Sequence, residues 1–427
     1  MTLSGTLHTS TPMKITTVLS LVALTTVQAT DWPQYRGPLG DGSTPDKIAT
    51  TWAGTPKTLW KVPGGAGFSS FVVSGSRCFT IEGLGGKEVL VARNVANGKE
   101  LWKADLGDAN YGDGGGNSGT NDNKGGDGPR TTPTIAGNII VTTNADLAVQ
   151  GHDAATGKPV WKRDLAQHGA RNIMWKNAAS PLLEGGLIYV AGGGAGESFM
   201  ALNPLTGAIV AKSGDETMTH ATPTAATIAG VRQIIFFMKS GLVSVDPKTL
   251  KELWRAEVKF NVSTAASAVV AGDYVYASVG YGVGAYGFKV TKTATAWNAE
   301  QVMRVPGDAQ IANHWSTPVH FGGHLYGMFQ FKKYGSGPVK AVKLPDGEVA
   351  WSKDGFGPGH CVLTNGNILA LSDAGELVLF AAKPDAYSEL ARAKVIDGKC
   401  WTTPVISNGL VFVRSTKEAA CLDLRTK

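Results

Sequence analysis

Cysteine is scarce in this chain and poorly spaced for chemistry. Its 427 residues include four, at Cys78, Cys361, Cys400 and Cys421. No C-x-x-C occurs, which removes the common zinc and thiol-redox signatures. No C-x-x-C-H occurs either, so covalently attached haem is excluded. Charge is also low, with 17% of residues Asp, Glu, Lys or Arg. The net +6 is spread along the chain without a basic cluster, so nucleic acid is not an expected partner. There is no G-x-S-x-G elbow, and no pair of carboxylates stands apart from the others.

The longest apolar stretch, ITTVLSLVALTTV at 15–27, is too short to span a bilayer comfortably. It follows Lys14 and precedes the small-residue triplet VQA, the pattern of a secretory signal with cleavage after Ala29. Residues 1–12 carry no charge, which leaves Met13 as an alternative start to Met1. A signal peptide over 1–29 predicts a periplasmic or secreted protein, with no transmembrane segment in the mature chain. Residues 30–56 then form a lead-in to whatever the remainder builds.

What is abundant is glycine, 55 residues, in a Thr- and Val-rich background that reads as all-β with many turns. The chain also repeats itself. ANGKELWKADL centres on Trp102 and ATGKPVWKRDL on Trp161, and related stretches centre on Trp60, Trp254, Trp297 and Trp351. Ala211 and Ala391 stand where the tryptophan is expected in two further copies. The mean interval is about 47 residues, which with β-type composition predicts propeller blades. Each unit shows a polar-to-small stretch often ending in Pro, an alternating strand, a third strand with an Asx turn, and the tryptophan strand. The final unit, from Cys400, holds three strands, and the strand around Trp60 has no partners before it. Pairing the two closes an eight-bladed β-propeller over 57–427, with four antiparallel strands per blade. The tryptophans are expected to be structural, each lying over a neighbouring turn. Ala211 and Ala391 then mark blades lacking that contact.

Ligands of propellers sit at one channel mouth, where loops enter the innermost strands. Reading the residues before each inner strand gives Arg130, Asn177, His220, Asn261, His314 with Trp315, His360 and Trp401. Such a mouth is aromatic and positively biased, suited to a flat anion, an acidic sugar or a peptide carboxylate. Zinc on His220, His314 and His360 would require all three within reach of one ion. The loop at 107–130 carries Asp108, Asp113, Asp122 and Asp127, weak candidates for calcium. Cys361 and Cys400 occupy similar places in neighbouring units, so an oxidising compartment would allow a disulfide between them if the sulfurs fall within reach, and buried free thiols are the alternative.

The sentence A-x-D-x-x-T-G-K-x-x-W, best copied in HDAATGKPVW, resembles the tryptophan-docking motif of pyrroloquinoline quinone (PQQ)-type propellers. DWPQYRGP at 31–38 is similar to the opening of secreted PQQ-like repeat proteins. This family includes quinoprotein dehydrogenases and barrel-assembly lipoproteins. The chain departs from the dehydrogenases in having no adjacent cysteine pair, and from the lipoproteins in having no lipobox cysteine. Two functions therefore follow. One is a monomeric binding or scaffolding propeller of the envelope, presenting its mouth to a protein or glycan. The other, which the resemblance implies, is a PQQ-dependent dehydrogenase of alcohols or sugars. There, Arg130 and the mouth histidines would hold the quinone, Trp315 or Trp401 would stack on it, and calcium would act as Lewis acid.

Overall fold

The computed structural model describes residues 1–2, 31–52, 54–109, 111, 128–329 and 337–426. The expected signal peptide, its cleavage site, and Asp113, Asp122 and Asp127 lie outside the described residues. Eight sheets follow one another around a ring, each built on four antiparallel strands, in chain order from the channel outwards in all but the last. Blades 1 to 4 run from Val72–Ser74 to Glu100–Asp108, Thr134–Ala136 to Pro159–Asp164, Leu182–Glu184 to Ile209–Ser213, and Thr224–Ile228 to Glu252–Glu257. Blades 5 to 7 run from Val269–Ala271 to Trp297–Pro306, Val319–Phe321 to Val349–Lys353, and His360–Thr364 to Glu389–Lys394. Blade 8 takes Val405–Ser407, Leu410–Arg414 and Glu418–Asp423 from the end of the chain and Lys57–Pro63 from near its start. Among the described residues no helix is long and apolar enough to cross a membrane.

Local chemistry explains the regularity. Inner hairpins turn through pairs such as Asn365-Gly366 and Asn408-Gly409, all four residues at positive φ as a tight two-residue turn demands. In every blade the outer strand carries a bulge just before one inward position, the place of Trp60, Trp102, Trp161, Trp254 and Trp351. Trp60 is buried beneath the next blade's turn, where its Nε1 donates to Val95 O at 2.7 Å. A methyl group on Gly98, whose φ is +71°, would lie 2.7 Å from that ring. Trp161 and Trp351 make the same reach, to Pro204 O at 2.7 Å and Lys383 O at 2.8 Å. Trp254 instead donates to Gln233 Oε1 within its own blade.

Two expectations about the series are corrected. In blade 5 the bulge places Met303, not Trp297, at the inward position, and Met303 Sδ lies against the Gly347 turn of blade 6. Trp297 sits at the start of the strand under Lys292. Blade 3, with Ala211 at that position, does not lose the contact, because Tyr189 reaches across to Pro247 O at 2.8 Å. The Cys361–Cys400 bridge is also absent. All four cysteines are free and buried, and hairpin register aligns Cys361 with Pro404, four positions beyond Cys400. Cys361 Sγ donates to Tyr326 O and Cys400 Sγ to Gly398 O, each at 3.5 Å.

Residues 31–49 do not lie outside the ring. They thread into the channel and satisfy inner-strand edges that would otherwise face it. Trp32 exchanges two 2.9 Å bonds with Val73 of blade 1, and Pro33 O accepts from Ile135 of blade 2 at 2.7 Å. Gln34 Oε1 accepts from Leu183 N of blade 3, and Arg36 donates to Thr317 O and Pro318 O ahead of blade 6. Ser43–Thr44 adds a short parallel strand to blade 7, and Asp46 and Ala49 bond to blade 8. A crevice of about 270 Å³ remains between this plug and blades 4, 5 and 6.

Trp60→Ala should cost about 3–5 kcal/mol, because it empties the joint between the two chain ends as well as a core site. Urea denaturation of the variant beside Trp351→Ala checks this. The outer-strand Trp351, half-buried, should cost less.

Candidate functional site

Opposite the plug's point of insertion, the segments that lead into the inner strands form the channel mouth. Its lower wall is a ring of hydroxyls. Ser70 N donates to Thr132 Oγ1 at 3.0 Å, Thr132 N to Ser180 Oγ at 2.9 Å and Ser180 N to Thr222 Oγ1 at 2.9 Å. Ser267 N donates to Thr317 Oγ1 at 3.0 Å, and Thr403 N returns to Ser70 Oγ at 2.9 Å. Five of the eight junctions are thus stitched at one level, by residues that include the recurrent Ser/Thr-Pro pairs of the sequence. Blade 7 lacks the hydroxyl. His360 stands in the hydroxyl's place, with its Nδ1 3.5 Å from Thr403 Oγ1. Tyr35 rises from the plug to this level and lies beside the side chains of Thr317 and Thr403, on either side of His360. With Arg36 beneath, it closes the channel and turns the mouth into a cup.

Above the hydroxyls lies a collar of rings. Phe68 stacks on Trp401 at 5.1 Å, Trp401 on Trp315 at 4.8 Å, and Trp315 meets His314 edge-on at 5.2 Å. His314 abuts Tyr281 at 4.7 Å, and Tyr281 and His220 each stack on Trp175 at 6.2 Å. Arg130 completes the circuit, its Nη1 donating to Trp175 O at 2.8 Å and its guanidinium lying 4.9 Å over the Tyr111 ring. Lys399, fully buried, backs Trp401 at 4.4 Å.

The structure therefore brings together Arg130, His220, His314, Trp315, His360 and Trp401, although not all at one register. Asn177 is buried and its amide braces its own loop through Asn144 O and Ala179. Asn261 is exposed in the loop before blade 5. Four contributors escape the sequence pattern: Phe68, Trp175, Tyr281 and Tyr35. Phe68 stands at the register of Trp401 and was legible there. The others lie on an inter-blade loop, a hairpin tip and the plug, where no repeat exists to align.

Positive charge at the mouth does not come from its histidines. Burial holds His220 down at about 4, with Arg130 adding to the effect, and holds His314 and His360 down at about 3. All three are neutral at physiological pH. Glu88, a buried carboxylate close to Arg130, accepts from Tyr111 OH at 2.8 Å and from Ala145 N at 3.0 Å, so both oxygens are engaged in the wall. Among the described residues, no three of His, Cys, Asp or Glu converge to hold a metal, which answers the zinc expectation for the histidines. Asp108 is exposed and pairs with Lys87 at 2.5 Å.

An eight-bladed propeller with a plugged channel and an aromatic cup defines a class of β-architecture shared by enzymes and binding proteins. A family model described as outer membrane protein assembly factor BamB matches residues 48–212 and 86–315. The chain belongs to this family of PQQ-like propellers. No curated protein matches it in sequence. Among solved structures it is similar to the quinohemoprotein alcohol dehydrogenase ADHIIG from Pseudomonas putida HK5, with 12% identity, TM-score 0.66, and coverage of 92% of this chain and 80% of that one. BamB from Moraxella catarrhalis gives 14% identity, TM-score 0.58, and coverage of 87% and 98%. Quinohemoprotein alcohol dehydrogenase from Comamonas testosteroni gives 13%, 0.62, and coverage of 93% and 81%. At these identities the likeness is one of fold.

The depressed histidines set a pH dependence. Unfolded imidazoles titrate near 6.5, so the unfolded chain binds more protons than the native one below that value. Stability should be level above pH 7 and fall as pH drops from about 6.5 towards 4, each histidine contributing up to about 1.4 kcal/mol per pH unit. Calorimetric Tm measured from pH 7.5 to 5.0 should show this slope, and His314→Asn combined with His360→Asn should flatten it.

Proposed function

We propose that the protein is a non-catalytic binding module of the cell envelope, periplasmic or secreted and monomeric, that seats its ligand in the aromatic cup. The observation that supports this most is the cup itself: ring faces around the wall, a floor closed by Tyr35 and Arg36, and neutral histidines. Binding needs shape and stacking faces, which are present. Catalysis needs a group able to move a proton or polarise a bond, and Glu88, a buried carboxylate close to Arg130, is already committed. Family membership beside an outer-membrane assembly factor agrees with an envelope partner.

The quinone reading has a specific observation in its favour, since Trp315, Trp401 and Arg130 are the faces and the cation a planar tricarboxylate would use. Among the described residues no carboxylate set gathers for its calcium, the chain has no adjacent cysteines, and Asp113, Asp122 and Asp127 lie outside the described residues. No oxidation step is therefore derived.

Purified protein is titrated with PQQ and calcium, following tryptophan emission together with dye-linked oxidation of an alcohol and sugar panel. No turnover is expected. The same protein, screened by thermal shift against envelope glycans and peptides, should give a saturable hit that Trp315→Ala abolishes. Quinone-dependent turnover would overturn the proposal, as would a screen without any saturable hit.

A further inference from the structure

Building on the binding proposal, we infer that the cup recognises the end of a glycan chain, with one terminal pyranose ring seated inside. Three observations point to this ligand class. The first is closure from below. The plug bonds to blades 1, 2, 3, 7 and 8, and Arg36 donates to Thr317 O and Pro318 O ahead of blade 6, so the segment lies across the channel beneath the mouth. A polymer can present its end to such a cup but cannot lay its interior through it.

The second is the wall opposite Trp401. Trp175 and Tyr281 have left-handed backbones, φ 67° and 60°, a conformation that bulky residues rarely adopt. They come from different blades, yet their rings stack at 6.2 Å with 23° between planes, and Tyr281 remains 46% exposed. Strain held at two neighbouring aromatic residues presents flat faces to the mouth, and flat faces suit the C–H side of a pyranose. The third is the floor. Tyr35, Thr317, Thr403 and His360 offer hydroxyls and a neutral imidazole, uncharged donors and acceptors that match sugar hydroxyls.

The test uses the whole chain and tryptophan quenching, with methyl glycosides of hexoses, N-acetylhexosamines and hexuronic acids, linear oligomers of each, and cyclic gluco-oligosaccharides, which have no end. One linear series should quench saturably, with affinity level beyond about two units, while the cyclic sugars do not bind. Trp175→Ala should weaken binding at least tenfold at unchanged Tm, Trp175→Phe should restore most of it, and Trp351→Phe should leave it unaltered. Affinity that climbs with every added unit would overturn the inference, as would binding that survives Trp175→Ala. Peptide hits in the cup without any sugar hit would sink the glycan assignment and leave the binding proposal standing.

Discussion

A ring of sheets has no stable half-closed form, and here one antiparallel pairing decides whether it closes. Lys57–Pro63 lies along Glu418–Asp423, with Trp60 opposite Cys421. That pairing joins segments more than 350 residues apart, so its loop-closure entropy is paid only once the seven intervening blades are in place. Arg414 reinforces the joint. Its fully buried guanidinium donates to Ser69 O, Thr80 Oγ1, Ile81 O and Gly65 O across the boundary between blades 8 and 1. A buried cation is tolerated there because those acceptors replace its hydration, and because Glu82 lies near enough to offset its charge.

The site inherits its geometry from that closure. The hydroxyl ring runs through Ser70, Thr132 and Ser180 and returns from Thr403 to Ser70, crossing the joint between chain ends. If the joint opened, the floor of the cup would open with it, because Thr403, beside Tyr35, leads into blade 8. The plug and the closing strand are also consecutive in the chain. Residues 31–49 fill the channel immediately before Lys57–Pro63 completes blade 8. The same short stretch therefore shuts the ring and gives the mouth a bottom.

Much of the architecture was legible because repetition writes it several times over. Trp102 and Trp161 share a sentence, and the spacing of its copies counts the blades. The method fails where a copy is degenerate. Trp297 is a tryptophan near the right place, yet the bulge selects Met303, and only strand pairing distinguishes them. Likewise Cys361 and Cys400 look equivalent until hairpin register separates them by four positions. At the mouth, Arg130, His220, Trp315 and Trp401 could be read from register. Trp175, Tyr281 and Tyr35 could not, since non-repeated segments carry them and their meeting is purely tertiary.

Burial then decides what the mouth can do. Eight histidines against a net charge of +6 suggest a basic site, and three of them do gather there. Packing them among Trp315, Tyr281 and Trp175 removes the water that would stabilise a proton, so their contribution becomes shape and hydrogen bonding instead of charge. His360 illustrates the result. It replaces a threonine in a ring of hydroxyls, and as a neutral imidazole it keeps the ring's donor and acceptor character without adding a cation. A mouth made this way offers aromatic faces and neutral hydrogen-bonding groups, with the guanidinium of Arg130 held at its rim by Trp175 O.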